Sequence, residues 1–174
     1  MNRLKRPIIL VGFMGSGKSS IGKALAKRHN YRFIDLDQHI ASSEKMSIPD
    51  IFKHDGETTF RLYEQKYLKE TLHKYDIIST GGGIITNDKT FQFLKTLNAE
   101  IIWLDAPFSI LYQRVKGDPN RPNAKNSNYE TLKNLYLSRV SRYNEIAFMK
   151  VTTKNTMDET LHEIENNIFA NDQY

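Results

Sequence analysis

The chain has 174 residues, a length that suits one compact domain with a sizeable core and leaves little room for a second. Apolar residues make up 39% and charged residues 26%, which reads as globular rather than disordered, and the formal charge of +5 is spread along the chain without a dense basic run. The lack of cysteine excludes disulfides, thiolate zinc sites and cysteine nucleophiles and fits a reducing cytosol, while no stretch approaches the roughly 20 apolar residues of a membrane span.

The basic start and the short apolar run Pro7 to Val11 superficially resemble a signal peptide. The run is too short, lacks a small-residue cleavage site and flows into a phosphate-binding motif, so it predicts a first strand buried on both faces. A glycine-rich turn and a helix from about Lys18 to Arg28 follow. Arg32 to Ile34 predicts a second strand, ending at Asp35. Ser47 and Asp50 suggest a capping box for a short helix through Phe52, with Pro49 tolerated in its first turn, and a longer helix runs from Glu57 to His73.

Ile77 and Ile78 form a third strand, broken by Gly81, Gly82 and Gly83. Asn87 caps a helix to about Leu97, Ile101 to Leu104 is a fourth strand, and Pro107 opens a helix through Val115. Gly117 to Asn128 is polar and rich in Pro, Asn and Lys, which reads as a loop with no core of its own. Tyr129 to Ile146 is helical and Phe148 to Val151 is a fifth strand. Thr156 and Glu159 cap a last helix with Met157, Leu161, Ile164 and Ile168 on its apolar face. Strands alternating with helices predict a three-layer α/β/α fold on a five-stranded parallel sheet, with ligands at the carboxyl ends of the strands.

Gly12-Phe13-Met14-Gly15-Ser16-Gly17-Lys18-Ser19 matches G-x-x-x-x-G-K-[ST] directly after a strand and at the start of a helix, the context the P-loop requires. Its glycines let backbone N–H groups face phosphate oxygens, and the helix N-terminus adds positive potential. Lys18 would reach the β- and γ-phosphates of ATP and the Ser19 hydroxyl would ligate Mg²⁺. Gly12, Met14, Gly15, Ser16, Gly17, Lys18, Ser19 and Ser20 are thus the candidate nucleotide-binding residues.

A P-loop alone does not separate kinases from GTPases or ATPase motors. Asp35 and Asp37 close the second strand as D-x-D, two carboxylates on one side of an extended segment. Beside a magnesium nucleotide, one can hold a metal-bound water while the other accepts a proton from an attacking hydroxyl. Ile101 to Asp105 also has the shape of a Walker B strand, which leaves Asp105 as a rival metal residue. On the Tyr129 to Ile146 helix, Arg139 shares the stripe of Leu132, Leu135, Tyr143 and Ile146, with no acidic residue one turn before it. Either it snorkels to water, or it awaits a ligand carboxylate. Arg61 lies four residues after Glu57 and three before Glu64, the spacing of an ordinary helix ion pair that can also orient a guanidinium for a ligand. The five histidines are scattered without metal-ligand spacing.

Taken in order, FIDLD, then Asp55-Gly56-Glu57 with Phe60, Arg61 and Glu64, then STGGG, then Arg121-Pro122, then Arg139, Tyr143, Ile146 and Ala147 resemble the shikimate kinases over nearly the whole chain. The resemblance implies transfer of the γ-phosphoryl group of ATP to the 3-hydroxyl of shikimate, with Mg²⁺, in a cytoplasmic monomer. It implies that Asp37 binds the ring hydroxyls and serves as or assists the general base. It puts Asp35 near the metal, Arg61 and Arg139 on the shikimate carboxylate, and Gly81, Gly82 and Gly83 against the substrate. Arg121 becomes the catalytic lid arginine and Arg114 a residue packed on adenine. The implied layout is one domain over residues 1–174, with an acceptor-binding helical segment at about 37–66 and a lid at about 116–128. After Arg121-Pro122 the family usually has hydrophobic residues, whereas this chain has Asn123, Ala124 and Lys125, a departure that bears on lid closure and packing.

The rivals are a kinase for gluconate or a nucleoside monophosphate, a P-loop switch, and a nucleic-acid-binding ATPase. An arginine pair without an evident base-reading pocket favours a carboxylate acceptor. No second nucleotide-specificity motif supports a switch, and the basic residues lack the aromatic interleaving of a nucleic-acid stripe.

Overall fold

The computed structural model describes residues 3–153 and 156–170. In chain order they form β1 (Ile8–Val11), α1 (Lys18–His29), β2 (Phe33–Asp35), α2 (Leu36–Glu44), α3 (Ile48–His54), α4 (Gly56–Thr71) and β3 (Ile77–Ser79). A 3₁₀ turn at Ile84–Thr86 leads to α5 (Asp88–Thr96), β4 (Glu100–Asp105), α6 (Phe108–Val115), α7 (Tyr129–Ile146), β5 (Met149–Thr152) and α8 (Met157–Ile168). The strands make one parallel sheet in the order β2-β3-β1-β4-β5. The chain reverses its direction of winding at β1, and there the loops after neighbouring strands part to open a crevice.

Strand β1 shows why its apolar run is continuous. Ile9 and Val11 join one core with α2 to α7, while Ile8 and Leu10 join a second core with α1 and α8. Every residue of β1 is therefore fully buried, as a central strand covered on both faces requires. Helix α8 fits its expectation closely. Thr156 accepts from the Glu159 backbone and the Glu159 side chain accepts in return from the Thr156 backbone, a reciprocal capping box.

Three local expectations need correction. The Asp35-Asp37 segment is not extended throughout, because the Asp35 side chain accepts from the Gln38 N–H and starts α2 one residue after β2. Asp37 sits in the first helical turn. Helix α3 runs on to His54, and its box is not reciprocal: Ser47 Oγ accepts from the Asp50 N–H but donates to the Asp50 carboxylate. The polar loop after α6 does reach the core, since Ala124 is fully buried in the larger apolar cluster. A small apolar residue thus ties this loop to the core. Among the described residues, no helix is long and apolar enough to cross a membrane.

Candidate active site

A cleft of about 790 Å³ opens where β1, β2 and β3 end. Gly15, Ser16, Gly17, Lys18, Ser19 and Ser20 line one side, and Asp35, Asp37, Gly81 and Gly82 line another. Arg114 and Arg121 border it from α6 and the loop beyond. The P-loop turn works because Gly15 and Gly17 adopt φ of 82° and 90°, the left-handed region that side chains with a β-carbon resist. Lys18 Nζ donates to the Gly12 carbonyl at 2.7 Å and the Phe13 carbonyl at 3.1 Å. Burial pulls its ammonium down to about 7 and the Arg121 charge adds to the fall, opposed by Asp37 and Asp35. A buried cation this easily deprotonated gains most from an anion placed beside it.

Ser19 Oγ donates to Asp35 Oδ2 and lies 3.3 Å from Ser79 Oγ. This all-oxygen set, with one carboxylate beside a phosphate cradle, suits Mg²⁺, which usually takes few protein ligands and keeps the rest for phosphates and water. Asp105 is committed elsewhere. Its carboxylate accepts from Tyr136 Oη at 3.1 Å and pairs with Lys150 at 3.2 Å, and it does not line the cleft. The Walker B alternative fails because this aspartate ties β4 to α7 and β5.

The three glycines after β3 are where the second half of the site meets the first. A β-carbon at Gly81 would lie 2.8 Å from Asp37 Oδ1 and 3.0 Å from Glu64 Oε2, and one at Gly83 would lie 2.6 Å from Arg61 Cζ. Only a bare backbone lets two carboxyls and a guanidinium approach this closely. Arg61 itself is buried and bridges Glu64 at 2.6 Å and Glu57 at 2.8 Å. The helix-pair reading of Arg61 is correct, and the same pairs hold its guanidinium against the glycines.

Arg139 is only 3% exposed and forms no ion pair among the described residues, and its Nε has no hydrogen-bond partner. Its guanidinium lies 5.7 Å from the centroid of the Phe13 ring. Burial lowers its affinity for the proton, the Tyr143 oxygen opposes that shift, and the neighbouring Arg61 charge adds to it. Leaving a guanidinium in this state costs several kcal/mol, on the order expected for an uncompensated buried charge.

Asp37 Oδ1 and Glu64 Oε2 are likewise buried without partners. Burial pushes the Asp37 carboxyl up to about 6, with the Asp35 charge adding. Glu64 rises to about 8, mainly through burial, with Asp37 raising it and Arg61 and Arg139 opposing. Its ordinary value is 4.5, so between pH 4.5 and about 8 the folded chain keeps a proton that the unfolded chain has released. Stability then falls as pH rises through that window. Glu64→Gln is expected to flatten the fall in Tm between pH 5 and pH 8, and parallel Tm profiles for the two proteins would remove Glu64 as its source.

Not every candidate lines the cleft. Gly12 and Met14 sit beneath it, Gly12 receiving Lys18 and Met14 lying against Gly82. Gly83, Arg61 and Arg139 do not line it, and Arg61 packs on Gly83, next to the cleft-lining Gly82. Arg114 Nη1 donates to the Gly15 carbonyl at 2.7 Å. Arg121 is held by Asp118 at 2.9 Å. Sequence reasoning missed Thr153, which lines the cleft and donates to the Ser16 carbonyl at 3.0 Å. No local signal marks it, because the contact exists only once β5 lies beside β4.

Known proteins match the chain over nearly its whole length. The family model for shikimate kinase matches residues 14–169. Shikimate kinase of Staphylococcus aureus strain JH9 is 49% identical over 175 residues, covering 100% of each chain. Among solved structures, shikimate kinase from Acinetobacter baumannii in complex with shikimate has a TM-score of 0.90 at 32% identity, covering 98% of this chain and 97% of that one. The enzyme from Aquifex aeolicus vf5 has a TM-score of 0.82 at 35% identity, covering 96% and 98%. A match of this length, in both sequence and fold, means that the chain belongs to the shikimate kinase family.

Proposed function

We propose that the chain transfers the γ-phosphoryl group of ATP to the 3-hydroxyl of shikimate, giving shikimate 3-phosphate and ADP. The observation that carries the acceptor is Arg139, a buried guanidinium with no ion pair among the described residues, near the Arg61 charge and over the ring of Phe13 in the P-loop. A small acid with hydroxyls supplies the missing carboxylate and reaches Asp37 with its ring. Arg61 and Arg139 grip that carboxylate, Gly81 to Gly83 let the ring lie against the backbone, and Asp37 orients the attacking hydroxyl and receives its proton.

On the nucleotide side, the P-loop amides and Lys18 hold the phosphates and Arg114 lies where adenine would pack. Arg121 meets the transferring group from the lid at 116–128. Ser19 and Asp35 would hold Mg²⁺, which neutralises charge on the β- and γ-oxygens when bound. The protein then contributes mainly alignment and charge compensation, the terms that dominate phosphoryl transfer. We take residues 1–174 as one catalytic domain, with residues 37–66 as its acceptor-binding segment. We take the chain to act as a monomer, as the family resemblance implies.

A coupled ADP-release assay with shikimate, quinate, gluconate and AMP as acceptors tests this reading. Turnover is expected with shikimate and at least about 100-fold less with the others, since an unmatched polar group in a buried site costs a few kcal/mol. Turnover with gluconate or AMP but not shikimate would overturn it.

A further inference from the structure

Thr153 follows β5 directly, and the sheet decides its place. Strand β5 pairs with β4 as far as Thr152 opposite Asp105, and one residue on, the Thr153 N–H donates to the Asp105 carbonyl at 2.7 Å. The side chain is thereby brought to the P-loop. Its hydroxyl lies 3.0 Å from the Ser16 carbonyl and 3.1 Å from the Asp105 carbonyl. A hydroxyl has one proton to give. The Asp105 carbonyl already receives the backbone N–H at the shorter distance, which leaves that proton for Ser16.

Ser16 is fully buried, and its carbonyl takes no other hydrogen bond among the described residues. It stands between Gly15 and Gly17, whose φ angles are 82° and 90°. Neither glycine has a β-carbon, so the local chain does little to hold the peptide that joins Ser16 to Gly17. The N–H of that peptide, on Gly17, has no acceptor among the described residues. Gly17 caps the start of α1, and it lines the cleft together with Ser16 and Thr153. A peptide turned over at this point would present a carbonyl oxygen to an incoming phosphate, where the cradle needs an N–H. The hydrogen bond from Thr153 resists that turn.

We propose that Thr153 is a positioning residue of the phosphate cradle: by holding the Ser16 carbonyl it fixes the Ser16–Gly17 peptide, so that its N–H and not its oxygen is left for the nucleotide's phosphates. The inference rests on the P-loop as the nucleotide site and is independent of which acceptor the enzyme takes. It adds a residue from the far end of the chain that acts through the backbone of the loop. Its effect is on the direction of one peptide plane.

Thr153→Val keeps the shape of the side chain and replaces the hydroxyl with a methyl group, whereas Thr153→Ser keeps the hydroxyl and loses the methyl. Calorimetric titrations of ADP and of inorganic tripolyphosphate into the wild-type enzyme and both variants separate the possibilities. Both ligands are expected to bind roughly tenfold more weakly to Thr153→Val, the worth of one oriented hydrogen bond, and within about twofold of wild type to Thr153→Ser. The shikimate Kd should stay within about twofold in all three proteins. An equal ADP Kd in wild type and Thr153→Val overturns the proposal. So does a loss for ADP without a loss for tripolyphosphate, or a wild-type enzyme that binds ADP but not tripolyphosphate, since either result moves the effect from the phosphates to the base. Equal weakening of shikimate marks a general structural role, and a Thr153→Ser variant weakened tenfold assigns the effect to the methyl group, which overturns the proposal even if Thr153→Val fails to fold. No ADP binding by the wild-type enzyme would instead refute the nucleotide reading itself.

Discussion

Arg121→Ala is expected to lower kcat by about 10³-fold, the lower part of the range for an arginine that meets a transferring phosphoryl group. Arg121 borders the cleft that holds the P-loop and is paired with Asp118, three residues before it, at 2.9 Å. That pair is half-exposed, so giving it up costs little. The charge of Arg121 is also, after burial, the main reason Lys18 is pulled down to about 7. Two cations that repel one another across a cleft gain jointly when a polyanion enters between them, and the gain is largest when phosphoryl charge spreads in the transition state. The kcat from the ADP-release assay is the measure. A loss below tenfold would remove Arg121 from the chemistry. Arg121→Lys should recover part of the rate, because it keeps the charge and loses the planar fork.

Arg139→Ala should raise the shikimate KM by about 100-fold and leave the KM for ATP within about twofold. Hydrogen bonds to a charged partner contribute about 1.5–3 kcal/mol, which corresponds to factors of ten to a few hundred. The helix that carries Arg139 is an ordinary part of the core, with Leu132, Tyr143 and Ile146 buried on the same stripe. A structural arginine in that stripe would have a carboxylate partner, and its removal would lower Tm. Arg139 lacks an ion pair among the described residues, so truncation is expected to leave Tm unchanged or higher while acceptor binding collapses. A lowered Tm with an unchanged shikimate KM would make Arg139 part of the packing alone.

Much of the site was legible because its residues announce themselves locally. The P-loop needs its glycines, lysine and serine at fixed spacing between a strand and a helix, and Lys18 falls at the first position of α1 as that spacing demands. Arg139 was legible for the opposite reason. A guanidinium at helical spacing among apolar residues violates the pattern around it, and such a violation often marks a ligand. The Asp35-Asp37 pair was misread as wholly extended, since two alternating carboxylates look the same whether a strand continues or a helix starts. The hydrogen bond from Gln38 to the Asp35 side chain decided between them.

The amino-acid order by itself determined the alternation of strands and helices, the phosphate cradle and the presence of a buried cation. Each follows from periodicity, from glycine's conformational range or from the cost of desolvating charge, all properties of short stretches of chain. Only the tertiary structure decided which groups share one pocket. Asp37 and Glu64 are 27 positions apart yet meet at Gly81, Tyr143 reaches back 61 residues to Gly82, and Thr153 reaches back 137 to Ser16. It also set Asp105 away from the cleft, bound to Tyr136 and Lys150. Contacts of that reach depend on strand order and on which helix covers which face. No local preference specifies these, because they emerge when the whole sheet buries both its faces at once.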